Sequence, residues 1–564
     1  MDMQLIEISS DDSISIEQHF RVSAGPGAGK THWLINHLKN ILSKSDRLGK
    51  TRKIACITFT NVAVEAILSR FDSSHENLEV STIHSFLYKN IVKPYVKFIA
   101  DEYNLNHEKI DGHDDVILSN YTFIEEWKNK TGQHYLKNKG EIVLALSKAK
   151  WELDSVKGLT INPDKQSRVN GYSIKNEAYL EYKRMAWKQG VIHHDDVLFF
   201  SYNIIMHYPF VIKIIRAKFP YLLIDEFQDT NPIQMKIIER IGETETKIGI
   251  IGDYAQSIYG FQGVNSSAFV NFTLPGISNY QISFNRRSTI QIIEVLNHIR
   301  KDIEQKSLEN TIGEKPIIFY GDMITSYELA ASICGNEEIC SLARVNITAN
   351  SIQYKASSMF NQNLIDELEI KDTNYDRKKI LIACIRAAEL GHSKKYKDAL
   401  KHIKFLYKAD SDKGNKRALK ALYLLVSHYE SFRDQSFLEF SNFVSQNIYL
   451  VPKVSRGPLK KFCEENTYKS LAMCLNYTDD LSLFKTIHKS KGDEFDNVFL
   501  ALKAKSSLMF LTNPNLIDEE EHRVNYVAVS RAKRRLFIYV PSIKDIDKQL
   551  LNHIFDFKEV KSKI

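Results

Sequence analysis

The stretch Ser23-Ala-Gly-Pro-Gly-Ala-Gly-Lys-Thr31 constrains the fold of this chain more than any other. Gly25, Gly27 and Gly29 supply a tight turn and let the backbone approach a ligand closely. Arg21-Val22-Ser23 can end a strand, and beyond the turn Leu34, Ile35, Leu38 and Ile41 recur at helical spacing. Strand, glycine-rich turn and helix in this order aim backbone N–H groups at a phosphate. The expected nucleotide-binding residues are therefore Ala24, Gly25, Pro26, Gly27, Ala28, Gly29, Lys30 and Thr31. Lys30 is placed to reach the β/γ oxygens, and the Thr31 hydroxyl to ligate Mg2+. Ala24 stands where the usual pattern has its first glycine, so the turn needs a second witness.

Residues 219–235, FPYLLIDEFQDTNPIQM, provide it. The apolar run Tyr221–Ile224 reads as a strand that delivers two carboxylates at its end. Asp225 is suited to hold Mg2+ through water, and Glu226 to polarise the water that attacks a γ-phosphate. In a doubly wound sheet ligands bind beyond the carboxyl ends of the strands, so this acid pair would face the phosphate loop. Both motifs together predict an ATP-hydrolysing α/β protein.

Bulk properties narrow the reading less. A chain of 564 residues exceeds what one core usually supports, so several domains are expected. No apolar run is long enough for a membrane span, and the acidic, polar start MDMQLIEISSDDSISIEQ lacks the pattern of a secretory signal. A cytoplasmic protein without membrane contact is expected. The six cysteines form no CxxC pair, which argues against a zinc ribbon or a disulfide framework and for buried or incidental thiols. A formal net charge of +7 permits nucleic-acid binding without demanding it.

Further segments occur in a fixed order. IACITFTNVAVEAILSRF (54–71), STIHSF (81–86), GVIHHDDVLFF (190–200), IGDYAQSIYGFQG (251–263), SFNRRST (283–289), TIHKSKGDEFDNVFL (486–500) and EEEHRVNYVAVSRAKRRLFIY (519–539) join the two motifs above. In sequence and order they resemble the motifs of superfamily 1 helicases of the UvrD/Rep type. That resemblance implies an ATP-dependent DNA helicase and translocase, with 3′→5′ movement on single-stranded DNA and unwinding at single-strand/duplex junctions.

The resemblance also implies roles for individual residues. Gln256 would bond the γ-phosphate or the attacking water, and Asp253 would end its strand beside the Mg2+ acids. Arg287 and Arg531 would reach the γ-phosphate from the second motor domain, as arginine fingers supplied within one chain. Glu494 would bond the ribose, and Tyr526 would pack near the cleft. Tyr259 and Phe261 would offer ring faces to unstacked bases, with Phe59 as a further ring. Thr60, Asn61, His84 and His488 would lie near phosphates or sugars of the DNA. The chain departs from the family at Phe261-Gln-Gly263, where tryptophan-arginine-glycine is usual. Arg286 replaces an aromatic that covers the adenine, and its guanidinium could still stack on a base. Neither Gln4 nor Gln18 has the setting of the adenine-reading glutamine, so use of other NTPs or dNTPs is open.

The implied architecture is α/β: two RecA-like P-loop motor domains with parallel sheets, each interrupted by a mainly helical insertion. Residues 1–88 and 190–280 would form motor domain 1A, 89–189 insertion 1B, 281–355 and 481–564 motor domain 2A, and 356–480 a reduced insertion 2B. PIIFYGD (316–322) and CSLARVNITANSIQ (340–353) read as strand and loop elements. The basic run 394–408 in 2B is either a solvated helix face or a contact to duplex backbone. The compact layout also resembles the helicase subunits of two-component bacterial phage-defence systems of the Gabija type, whose other subunit is an OLD-family nuclease. An alternative function is thus a DNA-end-sensing (d)NTPase that regulates a partner nuclease with little unwinding.

Overall fold

The computed structural model describes residues 5–562 apart from 72–75, 114–117, 119, 155, 157, 164–166, 261–266, 356–363, 373, 408–411 and 476–481. The chain forms two compact units, Met1–Gly313 with Asn513–Ser530, and Glu314–Thr512 with Arg531–Ile564. Residues 281–313 and 513–530, assigned from sequence to the second motor domain, pack within the first unit.

In chain order the strands of the first unit are β1 (Leu5–Ile8), β2 (Phe20–Ala24), β3 (Ile54–Thr58), β4 (Leu78–Thr82), β5 (Lys150–Asp154), β6 (Gly158–Asn162), β7 (Tyr221–Ile224), β8 (Lys247–Gly252), β9 (Ser278–Ile282), β10 (Phe284–Asn285) and β11 (Lys306–Ser307). Seven of them make one parallel sheet in the order β1-β9-β2-β8-β7-β3-β4. Every residue of β3 and β7 is buried, as a sheet covered on both faces requires of its central strands. Because the sheet is parallel, the segments after β2, β3, β4, β7, β8 and β9 all leave from one edge. Those segments are the phosphate loop and the motifs that begin near residues 59, 83, 225, 253 and 283.

The insertion between β4 and β7 is not purely helical. It contains the antiparallel hairpin β5–β6 beside the helices Tyr121–Thr131, Lys139–Ser147 and Asn176–Lys188. Asp196 ties it down. Its carboxylate accepts the indole N–H groups of Trp151 and Trp187 (3.0 Å each) and the His193 backbone N–H (2.9 Å), and pairs with Lys183 at 2.8 Å. Burial opposes its charge, but Lys183 and His193 outweigh burial and hold it far below the usual carboxylate range. The segment 190–200 thus starts the buried helix His194–His207 that precedes β7.

The second unit holds β12 (Ile317–Gly321), β13 (Ile339–Ala343), β14 (Phe484–Thr486), β15 (Phe495–Ala501), β16 (Ala532–Val540) and β17 (Asp556–Val560), in the parallel order β14-β13-β15-β16-β12-β17. Residues 316–322 contribute a strand as expected. Residues 340–353 supply most of β13 and then the helix Asn346–Gln353, where strand and loop were expected. The described residues of the insertion between β13 and β14 are helical or irregular, around a core that includes Ile385, Leu425, Phe437 and Phe440. At its centre the buried Glu389 receives the hydroxyls of Tyr354 (2.6 Å), Tyr429 (3.0 Å) and Tyr468 (2.8 Å). All six cysteines are buried free thiols. Among the described residues no single helix is long and apolar enough to cross a membrane.

Candidate nucleotide and nucleic-acid site

Gly27 (φ 72°) and Gly29 (φ 80°) adopt the left-handed conformation that side chains disfavour, and Gly29 caps the helix Lys30–Lys44. There is no room for larger residues. A Cβ on Gly27 would lie 2.6 Å from Asn285 Oδ1, and one on Gly25 would collide with the Gln305 amide. Those two amides brace the loop, since Asn285 Nδ2 (3.1 Å) and Gln305 Nε2 (2.8 Å) both donate to the Pro26 carbonyl. The Arg286 backbone N–H adds a bond to the Gly27 carbonyl at 2.9 Å. Lys30 Nζ turns to the Ala24 carbonyl at 3.3 Å, and Thr31 is half-buried beside it in the first turn. Ala24 and Ala28 are buried, so small side chains suit both positions.

The acid pair sits at the end of β7. The Asp225 backbone N–H donates to the Ile57 carbonyl at 2.8 Å, which fixes the carboxyl at the sheet edge. Burial, reinforced by Glu226 and opposed by Lys30, pushes the Asp225 carboxyl up to about 7. Glu226 has φ 53°, left-handed in a residue that is not glycine. Gln228 donates to the Glu226 carboxylate and accepts the Asp253 backbone N–H at 3.0 Å, while its carbonyl accepts the Ser257 hydroxyl at 3.1 Å. A fully buried glutamine therefore connects the acid pair to the segment after β8. A hydroxyl and a buried carboxyl that burial disfavours as an anion form a hard-oxygen donor set. That set fits Mg2+ and not a thiol-seeking metal.

After β8, Asp253 follows the end of its strand, as expected, and is engaged in a buried network: it accepts Arg300 Nη1 at 2.7 Å and Gln256 Nε2 at 2.8 Å. Arg300 also forks onto Asp302 (2.9 Å twice), which accepts the Tyr254 hydroxyl at 2.8 Å. Burial opposes the Arg300 charge, yet Asp253 and Asp302 keep its pKa above the ordinary arginine value. Tyr526 is wholly buried and electrostatically coupled to Arg300, a packing position as expected. The helix Glu520–Val529 secures the segment further: Arg523 Nε donates to the Ser257 carbonyl at 2.7 Å, and Glu520 accepts the Gly260 N–H at 3.1 Å.

The aromatic candidates meet. The rings of Phe59 and Tyr259 stack with centroids 5.1 Å apart and planes 21° from parallel, although 200 residues separate them in sequence. Phe261 lies outside the described residues. Thr60 caps the helix Asn61–Leu68 by accepting the Ala63 N–H at 3.2 Å, and both Thr60 and Asn61 are exposed. His84 lies in the short helix Ile83–Leu87, its ring 5.9 Å from that of His194, a neighbour that sequence adjacency could not disclose.

Arg286 and Arg287 follow β10 within the first unit. Arg286, expected to stack on a base, pairs with Asp11, whose other oxygen faces His32 at 3.0 Å. Arg287 donates to the Ser530 carbonyl at 3.0 Å. Arg531, Glu494 and His488 belong to the second unit. The buried Arg531 donates to the Asp493 carbonyl at 3.2 Å, Glu494 lies 3.8 Å from Lys533, and His488 lies 3.3 Å from Arg344. Lys30, Asp225, Glu226, Gln256, Phe59 and Tyr259 thus leave one edge of one sheet. Asn285, Gln305, Gln228 and Arg300 support them and were not singled out from sequence. Asn285 and Gln228 lay in recognised motifs, whereas Gln305 and Arg300 did not.

Residues 9–275 match the UvrD/REP helicase N-terminal domain family. Over 97% of its length the chain is 24% identical to the Gabija protein GajB of Bacillus cereus, 97% of which is covered. Over 92% of its length it is 22% identical to the ATP-dependent DNA helicase PcrA of Staphylococcus aureus, 80% of which is covered.

Proposed function

We propose, because residues 9–275 belong to the UvrD/REP helicase N-terminal domain family, that this protein is a DNA-stimulated ATPase that moves 3′→5′ along single-stranded DNA and separates duplex. One observation carries the reading: a phosphate loop, an acid pair and a stacked aromatic pair emerge at the same edge of a single parallel sheet.

The backbone of residues 24–31 cradles the phosphates of ATP, and Lys30 neutralises charge on the transferred group. Thr31 and Asp225 would hold Mg2+, which when bound neutralises phosphate charge. Glu226 accepts a proton from the attacking water as that water bonds to the γ-phosphorus and the bridging oxygen to the β-phosphate departs. Gln256, held on Asp253, orients the water or senses the γ-phosphate. Arg287 and Arg531 stabilise the developing charge, and Glu494 reads the ribose. Phe59 and Tyr259 take bases on their faces, with Phe261, Thr60, Asn61, His84 and His488 along the same strand path.

The similarity to GajB across nearly the whole chain supports a second reading, in which DNA-stimulated turnover regulates a partner nuclease in antiviral defence. One experiment separates the two. Hydrolysis of ATP and dATP is measured with and without single-stranded DNA, alongside release of a labelled strand from a 3′-tailed duplex. Stimulated turnover with strand release supports the motor, and stimulated turnover without it supports the regulator. Absence of DNA-stimulated turnover overturns both.

A further inference from the structure

The helical insertion of the second unit contains a cavity of about 420 Å3. That volume lies within the range of ligand pockets, about 300–1,000 Å3. It is built at the meeting of the helices Tyr375–His392 and Tyr396–Ile403, the turn Lys404–Tyr407 and the helix Leu364–Lys371. Lys379, Ile382 and Arg386 recur at helical spacing along one wall, with Lys401, His402 and Phe405 opposite.

Among the described residues of the lining the one carboxylate, Glu369, is taken by Lys378 at 2.9 Å, and Asp398 nearby is taken by Lys401 at 2.6 Å. Arg386 Nε is buried and meets no hydrogen-bond acceptor among the described residues. A buried donor of this kind is costly to leave unpaired unless something accepts from it. Burial lowers the pKa of Arg386, and burial and then Arg386 lower that of His402, so the two basic groups oppose one another's charge across the wall. An anion in the cavity would relieve both. Phe405 is 47% exposed, and one of its faces carries Lys379 Nζ at 4.8 Å. A flat apolar surface beside converging cations suits a phosphate joined to a base.

We propose that this cavity binds a terminal phosphate, carried by a nucleotide or by the phosphorylated end of a nucleic-acid strand, with Arg386, Lys401 and His402 as donors and Phe405 under the attached base. The site is separate from the phosphate loop, which lies in the other unit, and does not depend on the motor reading.

Hydrogen exchange of the intact chain with AMP, with a 5′-phosphorylated oligonucleotide and with its 5′-hydroxyl counterpart tests it. Slowed exchange across residues 375–407 is expected with AMP if nucleotides are the source, and with the phosphorylated oligonucleotide alone if strand ends are. Arg386→Gln combined with Lys401→Ala should raise the concentration needed by about tenfold or more, while exchange over residues 20–44 responds as in the wild type. Phe405→Ala, at an exposed position that should not disturb folding, should weaken AMP but not inorganic phosphate. Equal protection by the 5′-hydroxyl strand, no protection by any ligand at millimolar concentration, or protection unaffected by all three substitutions overturns the proposal.

Discussion

Arg300 and Asp253 form an ion pair at 2.7 Å with essentially no exposure of either side chain (2% and 0%). The other oxygen of Asp253 holds Gln256, so one carboxylate joins a structural cation to the residue proposed to sense the γ-phosphate. Arg300 lies beyond every recognised motif, yet it sets the geometry of one.

Removing one partner of such a pair leaves a buried charge, at a cost of about 3–5 kcal/mol. Arg300→Met should therefore lower stability by about that amount, measured by urea unfolding. ATP turnover assayed well below the unfolding transition should also fall, because Gln256 loses its anchor. Full turnover in a destabilised variant would show that the pair serves folding alone.

Lys30→Ala and Glu226→Gln should each reduce ATP turnover by roughly two to four orders of magnitude, with thermal unfolding close to that of the wild type. Both side chains are at least partly accessible, and neither belongs to a hydrophobic core. Turnover within a few-fold of wild type in either variant would remove that residue from the hydrolytic machinery.

Stacking a base on an aromatic ring contributes about 1–3 kcal/mol. Tyr259→Ala with Phe59→Ala should accordingly weaken single-stranded DNA binding by roughly tenfold or more and suppress DNA stimulation more than basal hydrolysis. An equal loss of basal and stimulated rates would assign the pair to packing.

Two histidines make the first unit acid-sensitive. His19 Nδ1 accepts the Ile248 N–H at 3.0 Å, which requires that nitrogen to be unprotonated, and His37 is stacked on Trp33 at 4.9 Å. Burial lowers both to about 4, with Lys247 adding to the effect at His19. An unfolded histidine titrates near 6.5. The folded state therefore keeps its full advantage above pH 6.5 and loses it progressively as pH falls toward about 4. The loss is at most roughly 3 kcal/mol per histidine. Urea midpoints between pH 7.5 and 5 should fall in the wild type and fall less in His37→Phe. Identical slopes would contradict the assignment.

The sequence displays what is local. The helix Lys30–Lys44 and the strand Tyr221–Ile224 follow from apolar spacing and from the uninterrupted apolar character of a strand buried on both faces. The glycines announce a turn that only they can make. Pairings across long separations are different. Gln305 on Pro26, Arg300 on Asp253 and Tyr259 on Phe59 depend on where a sheet of seven strands brings its ends. Nothing in the residues around Gln305 or Arg300 marks them. The hairpin β5–β6 was missed although polar and apolar residues alternate through Lys150–Asp154 and Gly158–Asn162, because each run is only five residues long and lies among segments of helical pattern. The helix Asn346–Gln353 was missed because Thr348, Asn350 and Ser351 are poor helix formers, and its position against the second sheet overrides that preference.

Glu226 holds φ 53°, a conformation that costs a residue with a Cβ about 1 kcal/mol and glycine almost nothing. Evolution can remove that strain only by removing the acid. Glu226→Gly should therefore unfold at a higher urea concentration than the wild type while hydrolysing no ATP. If so, the working enzyme is less durable than an inert copy of itself, and selection for stability alone would erode position 226.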